Sequence, residues 1–245
     1  MIDFNQPELS IDTALNLLQS GEVCELHGML PWGSNATLLA TVSDGAVRAL
    51  AVYKPQRGER PLWDFPEGSL CKREVAAFEV SELIGWHIVP ATVLRVGPHG
   101  VGSLQYFMPH DPEEHYFTFD RTLRSQLKRI ALFDLIINNA DRKGGHCLLA
   151  DGGRLWAIDH GVCFHTQPKL RTVIWDFADQ PIPRSLRNDL SVLCERLDQP
   201  DVQERLLQLL SAGELDALRR RVEAFSHNEV FPDAGPGRSY PWPPV

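Results

Sequence analysis

Two aspartates on either side of a predicted hairpin have the spacing of a phosphoryl-transfer site. Asp141 directly follows a predicted long helix, and Asp159 lies 18 residues later, where a predicted strand ends. The strand–turn–strand over 147–158 should carry the second carboxylate back beside the first. Phosphoryl transfer needs one carboxylate that takes the proton of an acceptor hydroxyl and a second that holds a divalent metal against the triphosphate. We therefore predict Asp141 as the catalytic base and Asp159 as a metal ligand.

A histidine between the two aspartates is a candidate for the second metal ligand. His146 follows Asp141 by five residues. Imidazole binds divalent cations, but it suits Mn²⁺ or Zn²⁺ better than Mg²⁺. The ring could instead hydrogen-bond Asp141 or a phosphate, or serve only as a structural residue of the turn. We predict His146 as a metal ligand beside Asp159, with Mg²⁺ or Mn²⁺ as the ion.

A lysine at the end of a strand in the N-terminal half could contact the phosphates of a nucleotide. Lys54 ends a predicted strand and needs a buried carboxylate to hold it in a cleft. Glu74, in the first turn of the helix that follows, is our prediction for that partner. Glu67, Glu79 and Glu82 are rivals, and all four glutamates could also be solvated surface charges.

Two further segments are predicted to contact the nucleotide. The loop that joins the first two strands contains Gly and Ser, and such loops offer backbone N–H groups to phosphates. The segment 105–108 joins the two halves of the chain, where an extended backbone can pair with the adenine edge. The predicted nucleotide-binding residues are Lys54, Gly33, Ser34, Asn35, Gln105, Phe107 and Met108.

The elements that must position these residues divide into a β-rich half and a helical half. Hydrophobic spacing predicts helices over 9–19 and 72–84 and strands over 22–29, 37–42, 46–53, 89–96 and 101–107. Beyond them it predicts a helix over 123–138, a hairpin over 147–158 and helices from 185 to 225. The fold class is therefore α+β, with an N-lobe (1–107), a C-lobe (108–230) and a Pro-rich tail (231–245) that we expect to be extended or mobile.

Composition narrows the class of protein further. The 245 residues include 43% hydrophobic and 23% charged residues, with a net charge of −8, which argues against a nucleic-acid partner. The five cysteines include no CxxC pair, which is typical of a reducing compartment. Because no signal peptide and no run of about 20 apolar residues is evident, we expect a cytoplasmic protein without integral membrane association.

Four short motifs resemble the phosphatidylinositol 3-/4-kinase family. They are Tyr53–Pro55, Arg73-Glu74, Asn139–Arg142 with His146, and Ile158–Gly161. The chain looks most similar to the small bacterial members and the type II phosphatidylinositol 4-kinases, with related patterns in Fam20-type and HipA kinases. The resemblance covers roughly residues 22–180.

The resemblance implies a two-lobed protein-kinase-like fold and an ATP-dependent kinase that uses Mg²⁺ or Mn²⁺. By it, Lys54 would contact the phosphates, Asp141 would be the base and Asp159 would bind metal. Many relatives carry Asn where His146 stands. The expected acceptor is a hydroxyl of an unknown protein or small molecule. The alternatives are a nucleotide-binding pseudokinase or regulatory module, transfer of the nucleotidyl group, and a true lipid kinase.

Overall fold

A five-stranded antiparallel sheet forms the N-terminal half of the chain. The computed structural model describes residue 6 and residues 9–30, 35–235 and 237–245. Along the sheet the strands lie in the order β1-β2-β3-β5-β4. Their bounds are β1 Glu22–Met29, β2 Leu38–Ser43, β3 Arg48–Pro55, β4 Thr92–Gly97 and β5 Gly100–Tyr106. Lys54 is near the end of the central strand β3, where it pairs with Ser103 of β5.

Two helices cover the sheet. In α1 (Ile11–Ser20), the Ser10 side chain accepts the Thr13 N–H at 3.2 Å and so caps the first turn. Helix α2 (Leu70–Ile84) packs against β4 and β5 and ends at Gly85, whose φ of 77° is a left-handed conformation that glycine adopts without strain. The sheet and α2 together determine which side chains the Lys54 ammonium group can contact.

The C-terminal half is mainly helical. Its long helix α3 (Arg124–Ile137) leads through a turn into a hairpin of β6 (Cys147–Ala150) and β7 (Arg154–Ala157). Three helices follow: α4 (Arg184–Leu197), α5 (Pro200–Leu207) and α6 (Ala212–His227). Helix α6 packs against α4 and α3, and Ser211 and Glu214 form a reciprocal capping box at its start. The buried apolar core is continuous with that of the N-terminal half.

The predicted α+β class and the order of the elements are confirmed, with element ends shifted by a few residues. The C-terminal tail packs on the rest of the chain. Phe231 is buried, the Ser239 carbonyl accepts the Thr172 N–H at 3.1 Å, and the Pro244 carbonyl accepts the Gly144 N–H at 2.8 Å. The lobe boundaries themselves stay predictions. In the described part of the chain, no helix is both long and apolar enough to cross a bilayer.

Candidate phosphoryl-transfer site

The turn after α3 sets the position of Asp141. Asn138 ends the helix in the left-handed conformation, with φ of 54°. The next residue, Asn139, is buried: its side chain donates to Asp134 Oδ1 at 2.9 Å, and its Oδ1 accepts the Asp141 N–H at 3.0 Å. The Asp141 side chain remains 35% exposed, so its carboxylate is held at the edge of the core with one side open.

A buried arginine ties this turn to the segment that carries the second aspartate. The Arg142 guanidinium donates to both carboxylate oxygens of Asp134 and to the carbonyls of His146 and Ile158, at 3.1 and 2.7 Å. A further N–H lies 2.7 Å from His160 Nε2. Because one rigid side chain bonds both segments, their separation is fixed within the core.

Asp159 lies where the hairpin returns beside the turn. The Ile158 N–H donates to the His146 carbonyl at 3.0 Å, and Asp159 itself has φ of 60°, an uncommon conformation for a residue with a side chain. Its Oδ1 accepts from Lys54 Nζ at 2.9 Å, and its Oδ2 lies 3.2 Å from His146 Nε2. The side chain is still 46% exposed and so can reach a ligand.

The predicted ion pair between Lys54 and Glu74 is present. Lys54 Nζ donates to Glu74 Oε1, and Glu74 Oε2 accepts the His160 N–H at 2.9 Å. The Glu74 side chain is only 2% exposed. This carboxylate therefore links the strand that carries the lysine with the loop that carries Asp159.

The three rival glutamates have other surroundings. Glu67 is exposed. Glu79 lies 3.8 Å from Arg205, and Glu82 lies 2.8 Å from the His87 ring. Among the glutamates considered, Glu74 is the one that contacts Lys54.

The opposite charges of Lys54 and of the carboxylates Glu74 and Asp159, which together form a charged cluster, stabilise one another. Burial alone would lower the pKa of Lys54, but Asp159 and Glu74 outweigh it and raise that pKa, so the ammonium stays charged. Burial would likewise raise the pKa of Asp159, yet the Lys54 ammonium outweighs it and holds that pKa well below its usual range. The cluster thus presents a fixed cation beside an ionised carboxylate at neutral pH.

The pKa of Asp141 is shifted in the opposite direction from that of Asp159, that is, upward. Burial raises the pKa of its carboxyl to about 6, with a smaller contribution from the negative charge of Asp159, while Lys143 partly offsets both. Lys143 Nζ lies 3.6 Å from Asp141 Oδ2. Two nearby carboxyls with pKa values pushed apart are typical of a base and an ionised ligand in one active site.

His146 has one ring nitrogen available to a cation. Nδ1 lies 3.0 Å from the Asp141 carbonyl and 3.4 Å from the Lys143 backbone nitrogen. We assign the proton to Nδ1, because the shorter contact is to a carbonyl, which can only accept. Burial lowers the pKa of the ring to about 4, so it is neutral at pH 7, and Nε2 then directs a lone pair toward Asp159.

The predicted phosphate-loop residues are only partly described. Gly33 and Ser34 lie outside the described residues. The Asn35 carboxamide oxygen accepts a backbone N–H from the loop after β3, at 2.8 Å. Gln105 is buried on β5, where its side chain donates to Thr92 Oγ1 at 2.8 Å.

The segment between the lobes is bonded within the chain. The Phe107 N–H donates to the Leu50 carbonyl at 3.1 Å, and the Phe107 carbonyl accepts from the Gln6 side chain at 2.7 Å. Met108 is buried, and its carbonyl lies 2.8 Å from the His110 ring. Adenine contact by these residues stays a prediction.

Sequence reasoning quoted Arg142 and Arg73 within motifs but did not predict the ion pairs by which they hold the site together. Asp134 and Arg142 form a fully buried ion pair, and Arg73, beside Glu74, is paired with Glu214 of α6. One signal was available for the first pair, since Asp134 is a single acidic residue within an apolar stretch of α3. The second pair joins residues far apart in the chain and left no pattern to detect.

The chain belongs to the phosphatidylinositol 3- and 4-kinase family, because the family model matches residues 17–225. It is also 37% identical over 262 residues to Protein Rv2133c of Mycobacterium tuberculosis (strain ATCC 25618 / H37Rv), an alignment that covers 93% of this chain and 94% of that protein.

Solved kinase structures have the same fold. The Golgi casein kinase superposes with a TM-score of 0.55 at 17% identity, covering 88% of this chain and 74% of its own. Its form with Mn/ADP bound gives a TM-score of 0.50 at 15% identity over the same shares. The Helicobacter pylori proinflammatory kinase CtkA gives 0.52 at 12% identity, covering 85% of this chain and 94% of its own. The predicted two-lobed kinase-like fold is confirmed.

Proposed function

We propose that the protein is an ATP-dependent kinase that transfers the γ-phosphoryl group to a hydroxyl of a protein or small molecule. The observation that carries the proposal is the cluster of Lys54, Glu74, Asp159 and His146 beside a half-buried Asp141. A cation for phosphates, an ionised metal ligand and a carboxyl with a raised pKa are the groups that phosphoryl transfer needs.

The residues present fit a nucleotide-bound Mg²⁺ or Mn²⁺. In the part of the chain that the structure describes, no three His, Cys, Asp or Glu side chains converge as a complete cage. Such ions are commonly bound by one or two protein ligands together with phosphates and water. Asp159 and His146, whose Oδ2 and Nε2 lie 3.2 Å apart, are the residues that would hold such a cation.

Each residue then has a distinct role. Lys54 binds phosphate oxygens and is oriented by Glu74. Asp159 and His146 would hold the metal, which would neutralise phosphate charge when bound. Asp141 accepts the proton of the acceptor hydroxyl, and Lys143 lies where it can neutralise the charge beside that base. Binding of Mn/ADP by the Golgi casein kinase of similar fold supports the choice of ligands.

Nucleotide binding can be tested by thermal unfolding with ATP or ADP and either metal. A ligand that binds only the folded state raises the midpoint by an amount that grows with the logarithm of its concentration relative to Kd. We expect a rise with nucleotide plus metal in the native protein and a smaller rise in Lys54→Met. Lys72→Met, a lysine on α2 outside the cluster, is the control and should match the native protein. No rise with any nucleotide would contradict the proposal.

A further inference from the structure

The C-terminal segment, residues 239–244, lies in a groove on the surface of the C-terminal half. At one end of the groove, the Ser239 carbonyl accepts the Thr172 N–H at 3.1 Å and the Trp175 indole N–H at 3.2 Å. The Tyr240 ring lies edge-on to the Trp175 ring, with 6.5 Å between the ring centroids. This end of the groove therefore binds a backbone carbonyl through two N–H donors and offers an aromatic face beside them.

The other end of the groove adjoins the turn that carries Asp141. There the Pro244 carbonyl accepts the Gly144 N–H at 2.8 Å, and Gly144 follows Asp141 by three residues. Three residues of chain span at most about 11 Å, so the groove ends beside the candidate base. The Phe117 ring lies against Gly144, where a Cβ would meet the ring at 2.9 Å, and it forms a wall of the groove.

The groove binds carbonyl groups, and this suits a segment rich in proline. Within the described part of the chain, residues 237–245 accept backbone hydrogen bonds from other segments and donate none to them. Proline has no N–H to leave unpaired in such a groove, whereas its carbonyl still accepts. Three of the seven residues in the sequence SYPWPPV, which ends the chain, are prolines. Grooves lined by aromatic rings bind proline-rich segments in several classes of protein.

The segment covers the groove incompletely and is weakly held. Of residues 237–245, only Pro241 has a buried side chain. The Phe117 ring is still 53% exposed although it forms a wall of the groove. Segments with few buried apolar contacts open locally at little cost in free energy. A partner that also covered Phe117 would bury apolar surface that the attached segment leaves in water.

We propose that this groove is a docking site for a proline-rich segment of another protein, and that the C-terminal segment masks it until the partner displaces it. Carbonyls of the partner accept from the N–H groups of Thr172, Trp175 and Gly144, and its apolar side chains cover Phe117. A protein docked in this way is held beside the turn that carries Asp141. The inference goes beyond kinase activity, because docking requires neither nucleotide nor phosphoryl transfer.

Fluorescence anisotropy of a labelled peptide with the sequence of residues 237–245, GRSYPWPPV, tests the proposal. In the native protein the attached segment competes at a high local concentration, so the peptide should bind weakly. Tyr240→Gly/Pro241→Gly in the full chain removes the packed rings of the attached segment and should strengthen peptide binding by about tenfold or more. Arg238→Gly, exposed in the same segment, is the control and should bind as the native protein does. Tyr240→Gly alone should give a smaller gain and decides the question if the double variant does not fold.

A change in the groove locates the binding. Trp175→Phe, added to the unmasked variant, keeps an aromatic ring but removes the indole N–H, and should weaken peptide binding by about three- to tenfold, the usual value of one hydrogen bond. A peptide with alanine in place of its prolines should also bind more weakly, because it loses more conformational freedom on binding. Absent binding to the unmasked variant, an equal gain in Arg238→Gly, or no effect of Trp175→Phe would overturn the proposal. An unmasked variant that light scattering shows to be a dimer would assign the groove to a second copy of this chain and overturn it as well.

Discussion

Asp141 is held in a place that favours its protonated form. Since burial raises the pKa of its carboxyl to about 6, the ionised residue opposes folding at neutral pH. A group that binds its proton more tightly when folded reduces stability as pH rises from the unfolded value of 3.8 to about 6. A catalytic base whose pKa lies near neutral pH commonly lowers the stability of the folded state in this way.

We predict that Asp141→Asn raises the melting temperature at pH 7.5, and that the gain is smaller at pH 5. The amide has no charge to desolvate, whereas the native carboxylate is fully ionised only at the higher pH. Thermal unfolding at both pH values measures this. Asp151→Asn, an exposed aspartate in the hairpin turn, is the control and should change little. An Asp141→Asn variant less stable than the native protein at pH 7.5 would contradict the inference that burial of the ionised carboxylate destabilises the folded state.

His146 should govern the choice of metal. Imidazole favours Mn²⁺ over Mg²⁺, whereas a carboxamide oxygen is a harder ligand. We predict that His146→Asn lowers the ratio of Mn²⁺ to Mg²⁺ affinity in the presence of ADP, read by electron paramagnetic resonance of Mn²⁺ with Mg²⁺ as competitor. His87→Asn, at an exposed turn with φ of 48°, is the matched control. An unchanged ratio would mean that His146 does not bind the metal.

For individual residues, the sequence predicted the charged side chains of the site, Lys54, Glu74 and Asp159, and the pairing of Lys54 with Glu74. It did not predict that Lys54 also contacts Asp159, or that His146 meets the second oxygen of that carboxylate. Those contacts depend on the hairpin register and on the buried Arg142, neither of which the spacing of residues determines. The roles of these side chains stay predictions.

Among the elements, α2 is joined to the C-terminal half by a buried ion pair. Arg73 lies next to Glu74, and its guanidinium bonds Glu214 at the start of α6 and the Cys163 carbonyl at 2.7 Å. It also lies over the Phe65 ring, 4.8 Å from the centroid. This contact holds the helix that presents Glu74 against the loop after Asp159.

Arg73→Met should lower the free energy of unfolding by about 3 to 5 kcal/mol, since it leaves Glu214 buried without its partner. The double variant Arg73→Met/Glu214→Gln should recover much of that loss, because neither charge then remains buried while a carboxamide oxygen can still accept the Ser211 N–H. Urea unfolding of both variants measures the difference. A double variant as unstable as the single one would show that the charge pair is not what joins these elements.

The elements themselves were well predicted because hydrophobic spacing, caps and turns are local. In the structure, helix ends fall at Ser10, Gly21 and Gly85, which are residue types that commonly cap or end helices. Contacts such as Arg73 with Glu214 depend on how distant elements pack, and local patterns carry no information about them.

At the scale of the whole molecule, the C-terminal segment closes over the turn that carries Asp141. The Pro244 carbonyl accepts the Gly144 N–H, and the Ser239 carbonyl accepts from Thr172 and from the Trp175 ring at 3.2 Å. Its proline content suggested a tail that was extended or mobile. The backbone acceptors that bind it to the C-terminal half are not visible in composition.

Deletion of residues 237–245 should therefore destabilise the protein. The loss of these hydrogen bonds is expected to cost about 1 to 3 kcal/mol, or a melting temperature lower by roughly 3 to 8 °C for a chain of this size. Thermal unfolding measures this, with deletion of the exposed Val245 alone as the control. An unchanged midpoint in the longer deletion would mean that the segment adds nothing to stability.

The most direct test of kinase activity follows the label of γ-³²P-ATP with Mn²⁺ or Mg²⁺. We predict that the native protein releases the γ-phosphoryl group to water or transfers it to its own chain. Asp141→Asn should lose about 10²- to 10⁴-fold in rate, the usual contribution of a general base, while still binding nucleotide. Nucleotide binding without any γ-transfer, transfer of label from α-³²P-ATP instead, or full activity in Asp141→Asn would contradict the assignment.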